Sequence, residues 1–319
     1  MNATADRSPR RTLPTRRHGI ARPRFRPSRL AAAAMLGLVL PLATAQTLPT
    51  GGQVVHGQAS IVTQGQQMTV TSTRNAILNW QSFSIGAGQG VRFDQPSASS
   101  QVLNRVLGKD PTAIFGQLSS NGRVWLLNPN GVLFGPTARI DVAGLVASTL
   151  PLGDADWQAQ RFSLLTRTAE RADTAAVVNQ GEIRSTFGGR VALVGGAGGV
   201  RNEGLIEAPG GQVLLSAGAS VDLSDSTLPD IAVRVKATAG DATNLGRIVA
   251  AGGRIDLQGA MVNQDGLVRA DAIGAGRAGE VVLHAADTAL LRGQTSASAE
   301  SGTGGRIALL GAQVGLLEG

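Results

Sequence analysis

Residues 189–215 read GRVALVGGAGGVRNEGLIEAPGGQVLL, and two motifs within this stretch decide the predicted fold. The first, Gly-x-(Val/Ile)-x-Leu, occurs at residues 189–193 and returns 22 residues later at 211–215. The second, Asn-x-Gly-x-Ile, lies between them at residues 202–206. Period-two alternation bounded by turn residues indicates short β-strands, and its return at a regular interval indicates a solenoid.

Both motifs recur outside this stretch. The first is found again at residues 122–126, 253–257, 279–283 and 305–309, and the second at residues 179–183 and 244–248. We also count residues 232–235, Ala-Val-Arg-Val, as a repeat that keeps the alternation but lacks the glycine. Stacking such repeats in register predicts parallel sheets in which each coil hydrogen-bonds to the next.

The pleat assigns a face to each residue of the first motif. The Val/Ile and Leu residues, two apart, face one side and form the predicted core. The residues that directly precede the Val/Ile are predicted to face the other side, toward solvent: Arg190, Gln212, Arg254, Glu280 and Arg306. The asparagines of the second motif are predicted to occupy turns with left-handed backbone and to bond to the backbone or to the asparagine one coil away. Ligand binding by these asparagines is the alternative.

Composition excludes several functional classes. The 319 residues contain no cysteine, which excludes disulfides and thiolate chemistry. The net charge of +7 suggests a nucleic-acid partner until its distribution is considered. Residues 1–45 hold nine arginines and one acid, so the rest of the chain carries 20 basic and 21 acidic residues. We therefore expect no nucleic-acid partner.

The N-terminus reads as a secretory signal peptide. An arginine-rich segment ends at Arg29, an apolar run follows from Leu30 to Leu42, and Ala43-Thr-Ala45 precedes Gln46. These features predict a signal peptide at residues 1–45, cleaved between Ala45 and Gln46. A transmembrane anchor is the alternative, but it needs about 20 apolar residues.

A further segment, residues 54–149, contains four ordered motifs. They are Asn79-Trp-Gln-Ser-Phe83, Leu103-Asn-Arg-Val106, Ser119-Ser-Asn-Gly122 and Asn128-Pro-Asn-Gly131. In this order and spacing the segment resembles the haemagglutination-activity, or two-partner secretion, domain at the N-terminus of the filamentous haemagglutinin family of secreted exoproteins. The later Asn- and Gly-containing repeats extend this resemblance over most of the mature chain. A second motif of some members, Asn-Pro-Asn-Leu, does not occur here.

The resemblance implies an all-β fold, a right-handed parallel β-helix with an N-terminal β cap. It implies export by the general secretory machinery, then recognition by the periplasmic domains of an outer-membrane β-barrel transporter and passage outward unfolded. The product would be secreted or held at the cell surface. From the residues themselves we expect no enzymatic activity and no cofactor or metal. Contact with a host-cell or glycan surface would fall to regions beyond this chain.

The predicted organisation has four parts. Residues 1–45 are the signal peptide, 46–150 the capped N-terminal part of the secretion domain, 151–176 an irregular excursion with a possible short helix, and 177–319 further coils of the same domain. The last repeat is followed by no evident polar cap, from which we expect the sequence to be the secretion domain of a longer exoprotein.

The secretion motif has two interpretations. Its predicted residues are Asn128, Pro129, Asn130 and Gly131, together with Asn104 and Arg105. Pro, Asn and Gly are the residues that specify a tight turn, so one interpretation is structural. The other is direct contact with the transporter. Likewise Trp80, Phe83, Phe93, Trp125 and Phe134 are predicted to pack in the core and cap, the alternative being a glycan-stacking surface.

Two other functions remain open from the sequence. A β-helical polysaccharide-active enzyme would need paired carboxylates, and the local acid pairs are Asp154/Asp156 and Asp222/Asp225. A purely structural adhesive fibre segment would have the same fold, but its first half would have no role in secretion. The histidines, His18, His56 and His284, form no recognisable triad or metal motif.

Overall fold

The computed structural model describes residues 48–165, 174–223, 234–236, 239–274, 276 and 278–317. The predicted signal peptide and its cleavage site at Ala45 and Gln46 lie outside the described residues. Within the described part of the chain, no helix has the length and apolar character needed to cross a membrane.

The secondary structure is almost entirely β. One short helix, α1, spans Asp154–Gln158. The strands follow in chain order: β1 Gln53–His56, β2 Ala59–Gln64, β3 Gln67–Ser72, β4 Ala76–Trp80, β5 Gly90–Asp94, β6 Gln101–Val106, β7 Thr112–Ile114, β8 Gln117–Leu127, β9 Val132–Phe134, β10 Arg139–Ser148, β11 Ser163–Leu165, β12 Val177–Asn179, β13 Glu182–Ser185, β14 Arg190–Gly195, β15 Val200–Asn202, β16 Leu205–Glu207, β17 Gln212–Ala217, β18 Ser220–Asp222, β19 Arg234–Lys236, β20 Ala242–Asn244, β21 Arg247–Val249, β22 Arg254–Gln264, β23 Leu267–Arg269, β24 Glu280–Leu291, β25 Gln294–Ser296, β26 Arg306–Leu310 and β27 Gln313–Leu316.

The strands stack into three parallel sheets that surround one interior. The first sheet contains β3, β5, the start of β8, the start of β10, β13, β16, β21, β23 and β25. The second contains β4, β6, the end of β8, the end of β10, β14, β17, the start of β22, the start of β24 and β26. The third contains β7, β9, β12, β15, β20, the end of β22, the end of β24 and β27.

The chain passes through the first, second and third sheets in turn and then begins the next coil. Two antiparallel strands close the N-terminal end, β1 against β4 and β2 against β3. The interior is a continuous apolar core that runs from Leu48 to Ala297. The predicted all-β fold, a parallel β-helix with an N-terminal β cap, is confirmed.

Glycine lines the corner between the first and second sheets. Gly189, Gly211, Gly253, Gly279 and Gly305 occupy equivalent positions in successive coils. A Cβ added to Gly279 would overlap the carbonyl oxygen of Gly253, its equivalent one coil earlier. The first sequence motif therefore begins with glycine because the coils approach too closely here for any side chain.

The repeat assignment of residues 232–235 was wrong. Val213 of β17 pairs directly with Ile255 of β22, so no further coil lies between these two strands in the second sheet. Residues 232 and 233 of the predicted repeat lie outside the described residues. Instead β19 pairs antiparallel with β18, which pairs antiparallel with β11. Period-two alternation describes a strand in either setting, so the sequence pattern did not distinguish the two.

A second apolar core lies outside the solenoid, against the outer face of the second sheet. Two excursions leave the solenoid between its second and third sheets, one after β10 and the other after β17, and they meet through β11 and β18. They cover outward-facing residues of the second sheet, including Ile77, Leu103, Ala192 and Leu214. The expectation that this face is exposed to solvent was therefore wrong in these coils.

The asparagines of the second motif form an interior ladder. The Asn179 Nδ2 donates to Asn202 Oδ1 at 2.8 Å, and the Asn202 Nδ2 donates to Asn244 Oδ1 at 2.7 Å. The Asn244 Nδ2 donates to Gln264 Oε1 at 2.6 Å. The predicted bonding from coil to coil is confirmed. The predicted left-handed backbone is not found, because these residues lie within strands and have negative φ.

We expect Gly279→Ala to destabilise the protein by about 2–3 kcal/mol, because the added methyl group must push two coils apart. Gly304→Ala is the matched control, since the nearest atom to its added Cβ lies 4.0 Å away. Urea unfolding monitored by circular dichroism measures both variants. Equal midpoints would contradict the close-approach argument.

We expect Asn202→Ala to lower the free energy of unfolding by about 2–4 kcal/mol, because it leaves the Asn179 Nδ2 and the Asn244 Oδ1 buried without these partners. Thr243→Ala alters a half-exposed residue of the same sheet and should cost less than about 1 kcal/mol. Chemical denaturation of both variants tests the ladder, and equal losses would count against it.

Candidate functional site

The predicted secretion motif forms a corner between the second and third sheets, immediately after β8 and before β9. The Gly131 backbone N–H donates to the Asn128 carbonyl oxygen at 3.1 Å, which closes the turn. The Asn130 backbone N–H donates to Asn128 Oδ1 at 2.9 Å. Gly131 has φ of +116°, a conformation that a residue with a Cβ rarely adopts.

The Asn128 side chain points inward and is fully buried. Its Nδ2 donates to the Asp110 carbonyl oxygen and to Thr112 Oγ1, both at 3.0 Å. Both hydrogens of this amide are therefore used: one bonds to the loop before β7 in the preceding coil, and the other bonds to Thr112 at the start of β7. A partner of the folded domain has no access to this side chain.

The Asn130 side chain is half-buried and reaches the same loop. Its Nδ2 donates to the Gly108 carbonyl oxygen at 2.9 Å and to Asn128 Oδ1 at 3.2 Å. The Thr112 backbone N–H donates in turn to the Gly131 carbonyl oxygen at 3.0 Å. The motif thus binds the loop formed by residues 107–111 through side-chain hydrogen bonds, and it binds Thr112 at the start of β7 through side-chain and backbone hydrogen bonds.

Asn104 and Arg105 are neighbours on β6 and face opposite sides of the second sheet. Asn104 faces the interior, where the Trp80 indole Nε1–H donates to its Oδ1 at 2.9 Å. Its Nδ2 donates to the Trp125 carbonyl oxygen at 3.2 Å. Asn104 is fully buried, so it satisfies a buried indole and a backbone carbonyl within the core.

Arg105 faces outward and attaches the first excursion to the solenoid. Its guanidinium donates to Asp154 Oδ1 at 2.6 Å and to the Leu152 carbonyl oxygen at 3.1 Å. Asp154 begins α1, where a negative charge is favoured by the helix dipole. This ion pair therefore joins an early coil to a segment that follows β10.

Sequence reasoning missed several residues that hold this excursion in place. Trp157 of α1 packs edge-on against Trp125, with ring centroids 5.4 Å apart, and Phe162 lies 4.9 Å from Trp125. The Trp157 indole donates to the Asn75 carbonyl oxygen at 2.9 Å, which reaches the first strands of the solenoid. The sequence signal for this packing was the presence of two large aromatic residues, Trp157 and Phe162, in a segment that we predicted to be irregular. Trp80, Phe83, Phe93, Trp125 and Phe134 are buried, as predicted.

The acid pairs considered for catalysis bond to other groups. Asp154 pairs with Arg105, and Asp156 pairs with Arg161 at 2.9 Å. Asp222 accepts a hydrogen bond from Ser163, while Asp225 lies outside the described residues. Among the described residues, no three His, Cys, Asp or Glu side chains are grouped so that they could hold a metal ion.

A shallow polar cavity of about 340 Å³ lies on β23 and β25, away from the motif. Asp271 lines it. Burial raises the pKa of this carboxyl group, but hydrogen bonds from Ser298, Ser296 and Arg269 lower it to about 2. The carboxylate is therefore ionised at neutral pH, and it is hydrogen-bonded to residues of the cavity wall.

A family model described as TPS secretion domain matches residues 41–259. A crystal structure of the HMW1 secretion domain from Haemophilus influenzae superposes with a TM-score of 0.78 and 34% sequence identity. That match covers 84% of this chain and 72% of the HMW1 chain. Sequence and fold therefore agree on one family.

Two curated relatives from Haemophilus influenzae are named heme/hemopexin-binding protein. The relative from strain Rd is 37% identical over 194 residues, which are 58% of this chain and 21% of the relative. The second is 35% identical over 131 residues, which are 40% of this chain and 14% of the relative. The chain thus spans less than a quarter of the length of either relative.

We expect Asn128→Asp to destabilise the folded domain by about 2–4 kcal/mol at pH 7, because a buried carboxylate replaces an amide that donates twice. Lys109→Ala, on the exposed side of the adjoining loop, should cost less than about 0.5 kcal/mol. Thermal and urea unfolding measure both variants. A stable Asn128→Asp protein would contradict the bonding described for this corner.

Proposed function

Because the chain belongs to the family of TPS secretion domains, we propose that it directs an exoprotein to a dedicated outer-membrane β-barrel transporter and begins β-helix folding outside the cell. The observation that carries the proposal is the family match over residues 41–259, which includes the cap, the motif corner and both excursions. The match to the HMW1 secretion domain supports it at the level of the fold.

The proposed route begins with the signal peptide at residues 1–45 and cleavage between Ala45 and Gln46. The general secretory machinery delivers the chain to the periplasm, where the periplasmic domains of the transporter recognise it. The chain crosses the outer membrane unfolded and is secreted or held at the cell surface. The absence of cysteine is compatible with this route, since no disulfide can form in the periplasm and obstruct passage.

The stack of coils supports the folding part of this proposal. The exposed edge of each completed coil offers backbone donors and acceptors in register for the next coil. The interior asparagines add side-chain donors that point toward the following coil. Coils that fold in succession outside the cell would oppose backward movement of the chain.

In this proposal the exoprotein is longer than the secretion domain. Adhesion to a host-cell or glycan surface would belong to its later regions, and the chain's relatives of known length are several times longer than the matched part. A polysaccharide-active enzyme is disfavoured by the pairing of the described acids with basic or hydroxyl groups. Reproducible polysaccharide cleavage by the purified protein would reverse this preference.

The full 319-residue chain, expressed with the two-partner transporter encoded in the same genome, tests the proposal. We expect the protein in the culture medium with the transporter present, and in the periplasm when the transporter is deleted. Immunoblots of both fractions provide the measurement. Retention in the periplasm despite a functional transporter, or export without one, would reject the proposed function.

The same assay tests the motif. We expect Asn130→Ala to reduce export about tenfold, while its half-buried position limits the loss of stability. Asn263→Ala removes a half-buried asparagine from the third sheet, far from the motif, and should leave export unchanged. Equal export of the two variants would show that the Asn130 side chain of the motif has no role in export.

A further inference from the structure

The second apolar core described above, which we call the outer core, connects six successive strands of the second sheet. Its residues within the solenoid lie on β4, β6, β8, β10, β14 and β17, and they are Ile77, Leu103, Trp125, Leu127, Val146, Ala192, Val194 and Leu214. In β22, the next strand of this sheet, Asp256 takes the position equivalent to Leu214. Among the described residues, the outer core therefore ends at β17.

The first excursion binds back to the earliest of these strands. Trp157 is fully buried, and its indole donates to the carbonyl oxygen of Asn75, the residue before β4. The Gln101 Nε2, at the start of β6, donates to Gln160 Oε1 at 2.9 Å. Residues 149–165 are thus attached to coils that precede them in the chain and that can already be folded when the excursion is made.

The first excursion obtains its paired strand only when the second excursion is made. Leu164 of β11 lies opposite Val221 of β18, and both side chains are fully buried. The Leu223 backbone N–H donates to the Phe162 carbonyl oxygen at 2.8 Å. Because β18 begins at Ser220, directly after β17, a chain that folds from its N-terminus completes the outer core only after the coil that contains β17 has formed.

The outer core differs from the solenoid in the range of its contacts. A coil of a solenoid contacts only its neighbours, so coils can open one at a time from an end. An apolar core shared by six strands is lost as a whole, because opening it exposes the apolar face of every strand that it covers. The covered strands are therefore expected to unfold together, and the later strands to unfold separately from them.

We propose that the outer core makes the strands from β4 to β17 one cooperative folding unit, the N-terminal unit, which is completed when β11 pairs with β18. The strands from β20 to β27 form a C-terminal unit that opens at lower denaturant concentration. The consequence for export rests on the proposed function. Outside the cell, the completed N-terminal unit must open as a whole before any of its coils can return, so it opposes backward movement of the chain more strongly than separate coils do.

The first experiment measures hydrogen exchange of the purified full chain by mass spectrometry at increasing urea concentration. We expect peptides from β4 to β17 to share one midpoint, and peptides from β20 to β27 to share a lower one. Val221→Ala should lower the midpoint of the whole N-terminal unit, β4 and β6 included, by about 0.5–1 M urea, because it removes apolar contacts from the outer core. The midpoint of the C-terminal unit should not change.

Val268→Ala is the matched control. Val268 is a fully buried valine of β23, inside the later coils, and its substitution removes the same apolar volume as Val221→Ala does. It should lower the midpoint of the C-terminal unit alone. One midpoint common to β4–β27 would overturn the inference, as would an effect of Val221→Ala confined to residues 149–165 and 218–223.

A second experiment uses the absence of cysteine from the chain. Leu165 and Ser220 lie opposite each other where β11 pairs with β18, so Leu165→Cys combined with Ser220→Cys allows a disulfide between the excursions. With the disulfide verified by mass spectrometry, oxidation should raise the midpoint of β4 and β6 as well as that of β11 and β18, and reduction should reverse the change. Protection confined to residues 165–220 would overturn the inference, because loop closure alone would explain it.

These measurements on the purified chain do not depend on a transporter. If the original protein is not exported although both experiments give the expected results, the proposed function fails and the N-terminal unit stands. If export succeeds and either experiment gives a contradicting result, the inference fails and the proposed function stands.

Discussion

The close stacking of coils at the corner between the first and second sheets is the constraint on which the rest of the structure depends. At Gly279 the backbone comes so near to Gly253 of the previous coil that only a hydrogen atom fits at the Cα. With that approach fixed, β22 and β24 pair in register, and the same register carries Ile255 and Val281 into the interior one above the other. Glycine therefore specifies the position of the corner, and the apolar alternation after it specifies which face turns inward.

The interior uses two kinds of contact along its length. Near the cap it is filled by large aromatics, such as Phe83 stacked on Phe93 with ring centroids 6.4 Å apart. Farther along, the third sheet replaces aromatics with an amide ladder from Asn179 to Gln264. A ladder of this kind penalises a slipped coil, because a misplaced asparagine leaves buried donors and acceptors without partners. Large apolar side chains therefore stabilise the coils near the cap, and the amide ladder fixes the alignment of the later coils.

The solenoid could be predicted from the sequence because its signals come from residues that lie close together in the chain. The alternation in residues 189–193 and the glycine before it follow from the pleat and from one corner, and both recur. The excursions depend on contacts between residues distant in sequence, so the alternation in β19 was mistaken for another coil. The outer core was missed for the same reason, although Ala192 and Leu214 at nominally solvent-facing positions were a signal. For the motif, turn residues predicted the corner, but only the fold shows that Asn128 and Asn130 bond to the preceding loop.

The bonding of Asn128 and Asn130 joins two successive coils at one corner. Asn128 contributes no accessible surface, so any effect of this residue on a partner of the folded domain must act through what it holds. What the two asparagines hold is a loop contributed by the previous coil, so this corner is complete only after two successive coils have stacked. Arg105 joins a third segment to these coils, because its ion pair with Asp154 attaches the segment that follows β10. A substitution at Asn128 or Asn130 therefore weakens the contact between two coils, and in the proposed route it would act on the folding of the domain outside the cell.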